Sequence, residues 1–185
     1  MPVRPARRAG VTWLVRLAAL AALILLASLL LDLFSPFDGA REAAQADGRT
    51  AVVEYVYDGD TIRVTLDGES TRVRLLNIDA PEEPRDGEPG ECLAGDATAV
   101  LEGLLPPGTE VVLVQDEVTH DQYGRLLAGV YADGRLVNAE IARAGLARPV
   151  VFDGNTRFLH AVEEALDEAE DAGLGMFDPR ANCPF

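Results

Sequence analysis

The chain contains no lysine. All 16 basic residues are arginine, set against 31 acids in 185 residues, for a formal charge of −15. Four arginines and one acid precede Ser35, so the remainder holds 12 arginines against 30 acids, a formal −18. Such a surface repels polyanions at long range and excludes binding through a broad basic face. Adaptation to salt, solubility or an acidic interaction surface would each account for it. Any grip on phosphate must come from a few placed guanidiniums, whose charge does not titrate and whose fork matches phosphate. Histidine and cysteine are equally sparse. His120, His160, Cys92 and Cys183 stand at no zinc-ligand spacing, which argues against a Cys-His metal centre. Outside the cytoplasm two cysteines are more often paired than free. A Cys92–Cys183 bridge would close a loop of about 90 residues and stabilise by up to roughly 4–5 kcal/mol.

Apolar residues are unevenly spread. Arg4, Arg7, Arg8 and Arg16 precede or flank a nearly unbroken apolar run from Leu17 to Leu31, which Val11 to Leu14 extend. A membrane span needs roughly 20 apolar residues, and residues 11–33 supply them if Arg16 snorkels. A cleaved secretory signal would need a small-residue site close after the run, and Ala44-Gln45-Ala46 lies far downstream. The reading is a basic cytoplasmic N-terminus at 1–10 and a signal anchor at 11–33. Arginine before the run and acid after it put the rest of the chain on the extracytoplasmic side; secretion after cleavage is the alternative. Residues 34–49, rich in Pro, Asp, Gly, Ala and Gln, read as a flexible tether. A folded domain is expected over 50–178, with a tail at 179–185 carrying Cys183.

Within the domain, Ala51 to Tyr57 reads as a strand. Ile62, Val64 and Leu66, then Val73 and Leu75, alternate with polar residues around Asp67-Gly68, a hairpin signal. Glu82 to Gly90 is a loop. Leu93, Ala97, Val100, Leu101 and Leu104 recur at helical spacing until Pro106-Pro107-Gly108. Val111 to Val114 and Leu127 to Tyr131 are strands. Val137, Ile141 and Ala144 mark a short helix ended by Gly145, and Phe158, Leu159, Val162, Leu166 and Ala169 a last one. The order suggests a β-barrel with helices (α+β), a small Greek-key barrel of OB type.

Three segments carry chemistry: Asp58-Gly59-Asp60-Thr61, Arg74-Leu75-Leu76-Asn77-Ile78-Asp79-Ala80-Pro81-Glu82, and Asp121-Gln122-Tyr123-Gly124-Arg125. Singly each is ordinary. Asp-Gly is a turn, Asp79 to Glu82 an exposed corner, Arg74 an edge-strand charge. Together they supply what phosphodiester hydrolysis needs. Asp60 and Asp79 are hard oxygen donors for a divalent cation. Glu82 is a carboxylate able to take a proton from water. Arg74 and Arg125 are bidentate phosphate clamps. Pro81 holds Ala80 extended, which aims its carbonyl toward the same cation.

In this order and spacing, with Leu127-Ala128, Tyr131-Ala132-Asp133-Gly134, Val137-Asn138 and Gly145-Leu146-Ala147 following, the chain resembles the staphylococcal nuclease (thermonuclease) family from about Val53 to Phe177. The resemblance implies a five-stranded OB-fold barrel with about three α-helices. It implies a calcium-dependent, sugar-nonspecific endonuclease that cuts DNA and RNA and leaves 3′-phosphates. By position, Asp60, Asp79 and the Ala80 carbonyl would bind Ca2+, Glu82 would be the general base, Arg74 and Arg125 would hold the scissile phosphate, and Tyr123 would contact the substrate's terminal phosphate. Gln122 stands where the family has lysine, Ala80 where it has threonine, and the loop after Glu82 is acidic. These departures imply a weaker grip on substrate and favour single strands. The base-stacking aromatic would be Phe152. The expected protein is monomeric; the alternative is a weakly active or inactive OB module that binds nucleic acid or protein.

Overall fold

A computed structural model describes residues 48–84 and 87–183, all within the unit that runs from Ala40 to Phe185. The anchor expected at 11–33 and most of the tether lie outside the described residues. Among the described residues no helix is long and apolar enough to cross a membrane.

Strands β1 (Arg49–Asp58), β2 (Thr61–Leu66) and β3 (Glu69–Leu75) form an antiparallel meander. The β2–β3 turn is Asp67-Gly68, both at positive φ (52° and 84°), as a two-residue hairpin loop matched to strand twist demands. After β4 (Ile78–Asp79) comes α1 (Ala94–Leu104), then β5 (Glu110–Val114) and β6 (Leu126–Ala132). β5 pairs with β1 and β6 with β5, both antiparallel, and β6 closes on β3 in parallel. The ring β1-β2-β3-β6-β5 is therefore a closed five-stranded mixed barrel with no unpaired edge. The short β7 (Arg135–Leu136) extends β6 through the Asp133-Gly134 turn; α2 (Val137–Arg143), β8 (Arg148–Pro149) and α3 (Leu159–Ala172) follow, with a 3-10 turn at Gly175–Phe177. The fold is the OB-type barrel with three helices that the sequence implied.

Alternation decides what fills the barrel. Ile62, Val64, Val73 and Leu75 point inward and are wholly buried, meeting Val53, Leu113, Val130 and, from α1, Ala97 and Leu101. A smaller cluster of Leu76, Val114, Leu127 and Phe158 lies apart from that core. Three fully buried amides fasten the chain segments between these clusters. Asn138 Nδ2 donates to the Leu76 carbonyl (2.7 Å), and its Oδ1 accepts from the Val130 amide (2.9 Å). Asn77, at φ 61°, donates to the carbonyls of Asn155 (2.8 Å) and Val150 (3.1 Å) and accepts from the Phe158 amide (3.2 Å). Asn155 makes reciprocal bonds with the backbone of Val118, each 3.0 Å. Asn tolerates the left-handed backbone better than other non-glycine residues. Here it turns the chain between β3 and β4, and β4 then pairs with β8 (Ile78 with Pro149, Asp79 with Arg148).

Cys92 and Cys183 are bridged, with Cα atoms 5.6 Å apart, so the chain end is tied to the segment just before α1. Two outcomes follow from these contacts. Asn138→Ala strands a buried amide and a buried carbonyl, each costing about 1–3 kcal/mol; urea unfolding of the full-length protein should show a loss of at least about 2 kcal/mol. Cys92→Ser/Cys183→Ser should lower stability by about 2–5 kcal/mol, and intact mass after alkylation of the unreduced wild-type protein should show both thiols protected.

Candidate active site

Arg74 is the centre of the site. Its neighbours Val73 and Leu75 take the barrel interior, so its side chain leaves through the outer face of β3, yet it is only 5% exposed. Nη1 donates to the carbonyls of Leu75 and Ile78, each at 2.7 Å, which pins the loop between β3 and β4. Nη2 bridges two carboxylates, Asp60 Oδ2 at 3.0 Å and Asp79 Oδ1 at 2.9 Å. The Phe152 ring lies 5.1 Å from the guanidinium carbon.

Asp60 reaches this point from the turn between β1 and β2. A Cβ added at Gly59 would stand 2.6 Å from the Ala97 Cβ and 2.7 Å from the Ala80 Cβ, so glycine is what lets this turn press against α1 and the β4 exit. Asp60 Oδ2 accepts the Ala80 amide (3.0 Å) and Oδ1 the Thr61 hydroxyl (2.9 Å). Burial pushes the Asp60 carboxyl up to about 7; Arg74 and the Ala80 amide pull it down, and Asp58 adds to the push. Asp79, by contrast, has a side chain 61% exposed.

The donor set suits a hard divalent cation. Two carboxylates converge on one cationic nitrogen, one of them fixed by backbone and hydroxyl donors, the other open to solvent. Among the described residues no group of three or more His, Cys, Asp or Glu side chains is gathered for a metal. Asp60 and Asp79 would therefore need backbone carbonyl and water to complete the six to eight oxygens that calcium takes. Ala80, buried and held through its amide by Asp60, directly follows Asp79 in the chain.

Glu82 is exposed on the segment leaving Ala80. Its backbone is held as a pair with Glu91: the Glu82 amide donates to Glu91 Oε2 (3.0 Å), and the Glu91 amide to the Glu82 carbonyl (2.9 Å). Glu91 adjoins the bridged Cys92, so the disulfide anchors the segment that carries Glu82. The next residue, Glu83, accepts the Thr98 hydroxyl of α1 (2.8 Å). A cleft of about 480 Å³ opens here between Asp79, Pro81, Glu91 and Arg148.

Tyr123 and Arg125 belong to the β5–β6 loop and are organised by Asp121. Its Oδ1 accepts the amides of Tyr123 and Arg125, each 2.9 Å, and its Oδ2 accepts Arg125 Nε at 2.6 Å. Partial burial raises the Asp121 pKa, but the Arg125 side chain and these amides outweigh it, and the net shift is downward. The Tyr123 ring, 76% exposed, lies 5.7 Å from the Arg125 guanidinium carbon. Register places the loop: β3 and β6 pair Val73 with Leu126 and Arg74 with Leu127, so Arg125 precedes the first rung.

The structure thus gathers Asp60, Arg74, Asp79, Ala80 and Phe152 by direct contact, while Glu82 stands on the adjoining segment and Tyr123 and Arg125 at the foot of the neighbouring strand. The sequence motifs contain Asp121, Asn77 and Asn138 without giving them a role, and Glu91 carries no signal of its own. Asp121 was within reach, since a side chain followed closely by Gly124 is a turn-forming aspartate. The others act through tertiary contacts that no local motif announces.

The sequence is similar to proteins of one family. Residues 72–178 match the family model described as staphylococcal nuclease homologue. The chain is 32% identical to a thermonuclease of Staphylococcus intermedius across 76% of its own length and 84% of that protein. It is 31% identical to a thermonuclease of Staphylococcus hyicus across 81% and 88%. It is also 34% identical to the SPbeta prophage-derived endonuclease YokF of Bacillus subtilis, across 65% and 41%. With a family model matched over residues 72–178 and relatives of this identity and extent, the chain belongs to the staphylococcal nuclease family.

Proposed function

We propose that this member of the staphylococcal nuclease family hydrolyses phosphodiester bonds of DNA and RNA with calcium, on the extracytoplasmic side of a membrane, leaving 3′-phosphates. The observation that carries the reading is the Arg74 guanidinium bridging Asp60 and Asp79. It sets a guanidinium and two carboxylates side by side in the barrel wall, groups that would serve as a phosphate clamp and cation ligands. The thermonuclease and endonuclease names of the relatives support the activity.

Asp60, Asp79 and the Ala80 carbonyl would hold the calcium ion. Bound there, the ion would supply Lewis-acid polarisation of the phosphoryl oxygens and of water. The chain's own groups supply the rest. Glu82, on solvent-exposed backbone past Pro81, takes a proton from the attacking water. Arg74 offers a guanidinium already fixed by two backbone carbonyls, so little ordering is needed when charge develops on the phosphoryl group. Arg125 is held through Nε by Asp121, which leaves its two Nη groups to face the phosphate as a fork. Tyr123, beside it and exposed, is placed to contact the next phosphate. Phe152, against Arg74, is placed to meet a base.

Two measurements test this reading. Full-length protein incubated with single-stranded DNA at pH 7–10 over a range of salt should cleave with calcium and stop with EDTA; no calcium-dependent cleavage under any of these conditions would contradict it. Glu82→Gln and Arg125→Ala should each lower kcat by about 10²-fold or more, as loss of a base or an electrostatic clamp does, with an unchanged circular dichroism spectrum. Wild-type rates in both variants would refute the assigned roles.

A further inference from the structure

The outer face of the β1–β3 meander carries a second cluster that the site above does not use. Arg63 on β2 and Arg72 on β3 are direct cross-strand partners, and Tyr55 on β1 is the partner of Arg63. Ile62, Val64 and Val73 beside them are wholly buried in the barrel, so this row faces outward. Both guanidiniums lie over one ring, that of Tyr57, at 5.3 Å for Arg63 and 4.4 Å for Arg72. Tyr55 packs edge-on to Tyr57 with centroids 5.1 Å apart, and remains 53% exposed.

Like charges directly opposite on neighbouring strands repel. In a chain with 31 acids, an acidic partner for either arginine would be the expected relief. Among the described residues neither arginine forms an ion pair with a carboxylate. Glu54 is near enough to feel Arg63. Its oxygens, however, accept the hydroxyls of Thr65 (2.7 Å) and Ser70 (2.8 Å), which are the chief causes of its lowered pKa. The Tyr57 ring offsets part of the repulsion by cation–π attraction and holds the two forks close together, an arrangement suited to an anion.

The position of the cluster selects the anion. The Arg63–Arg72 rung lies two residues along the same strands from the Thr61–Arg74 rung, roughly 6–7 Å at the usual rise per residue. On the opposite side of β3 from Arg63, Arg125 lies one residue before the first rung of β3 with β6, Val73 with Leu126. We propose that Arg63 and Arg72, stacked on Tyr57, form a subsite for a backbone phosphate of the same polynucleotide strand that Arg74 holds, with the exposed ring of Tyr55 stacking on an adjacent base. The ligand class is single-stranded nucleic acid, because a base paired in a duplex has no open face to offer Tyr55. The subsite rests on the nuclease reading for its continuity with Arg74. It also supplies a local grip where the chain as a whole repels polyanions.

The test separates binding from cleavage. Anisotropy of a labelled 20-nucleotide single strand, titrated with full-length protein in EDTA over a range of salt, should show Arg63→Gln/Arg72→Gln binding at least tenfold more weakly. The slope of log affinity against log salt should fall by about 0.7 for the lost phosphate contact. Arg63→Lys/Arg72→Lys should retain most of the slope, and Tyr55→Ala should weaken binding without changing it. In the calcium-dependent assay, the Gln variant should lose at least tenfold more kcat/KM on the 20-mer than on a dinucleotide. Unchanged affinity and slope, or equal losses on the long and short substrates, would overturn the subsite. If wild type binds with the expected slope but cuts neither substrate, the catalytic reading fails and the binding subsite stands.

Discussion

The structure depends on one buried cation. Arg74 stands in the barrel wall with almost no exposure and holds, through a single guanidinium, two backbone carbonyls and two carboxylates. Removing a partner from a buried charged network is far more disruptive than the pair's net contribution to stability, so this cluster constrains everything around it. Gly59 must be small for Asp60 to reach Arg74. The Asn77 turn must be sharp for Asp79 to return to it, and Ile78, the first residue of β4, must offer its carbonyl to Arg74. The same constraint underlies the proposed chemistry, in which the guanidinium would hold a phosphate and the two carboxylates beside it a cation.

A second level of support keeps mobile-looking segments in place. Asp121 uses both carboxylate oxygens to shape the loop that presents Tyr123 and Arg125. The backbone pairing of Glu82 with Glu91, next to a disulfide, does the same for the exit from β4. These arrangements put exposed functional groups on backbone that is tied at several points, the requirement for electrostatic groups that must not reorganise during reaction.

The barrel was legible in the sequence where the signal is local. Alternation along Ile62, Val64 and Leu66 and along Val73 and Leu75, broken by Asp67-Gly68, gave the hairpin. Helical spacing from Ala97 to Leu104 gave α1. The ends were less legible for physical reasons. The helical spacing includes Leu93, yet Leu93 adopts φ 70° and α1 starts one residue later without a side-chain cap; no capping motif marks the boundary. Strands β4, β7 and β8 have two residues each, too short for any period to register. Phe158, read as part of the last helix, instead precedes it and packs in the small Leu76–Leu127 cluster.

For the site, chain order alone brought Asp60, Arg74 and Asp79 into view, and the structure joins them by contact. The roles of the buried amides Asn77 and Asn138 remained hidden because each ties in a distant segment, Asn138 reaching Leu76 62 positions away and Asn77 reaching Phe158 81 positions away. The central claim is that the Arg74-bridged carboxylates are the cation site next to the scissile phosphate. A crystal structure of the protein soaked with calcium and a phosphorothioate dinucleotide tests it most directly. The account predicts calcium density between Asp60 and Asp79 with the linkage's phosphorus against Arg74 and Arg125. Calcium bound elsewhere, with the dinucleotide away from Arg74, would contradict it.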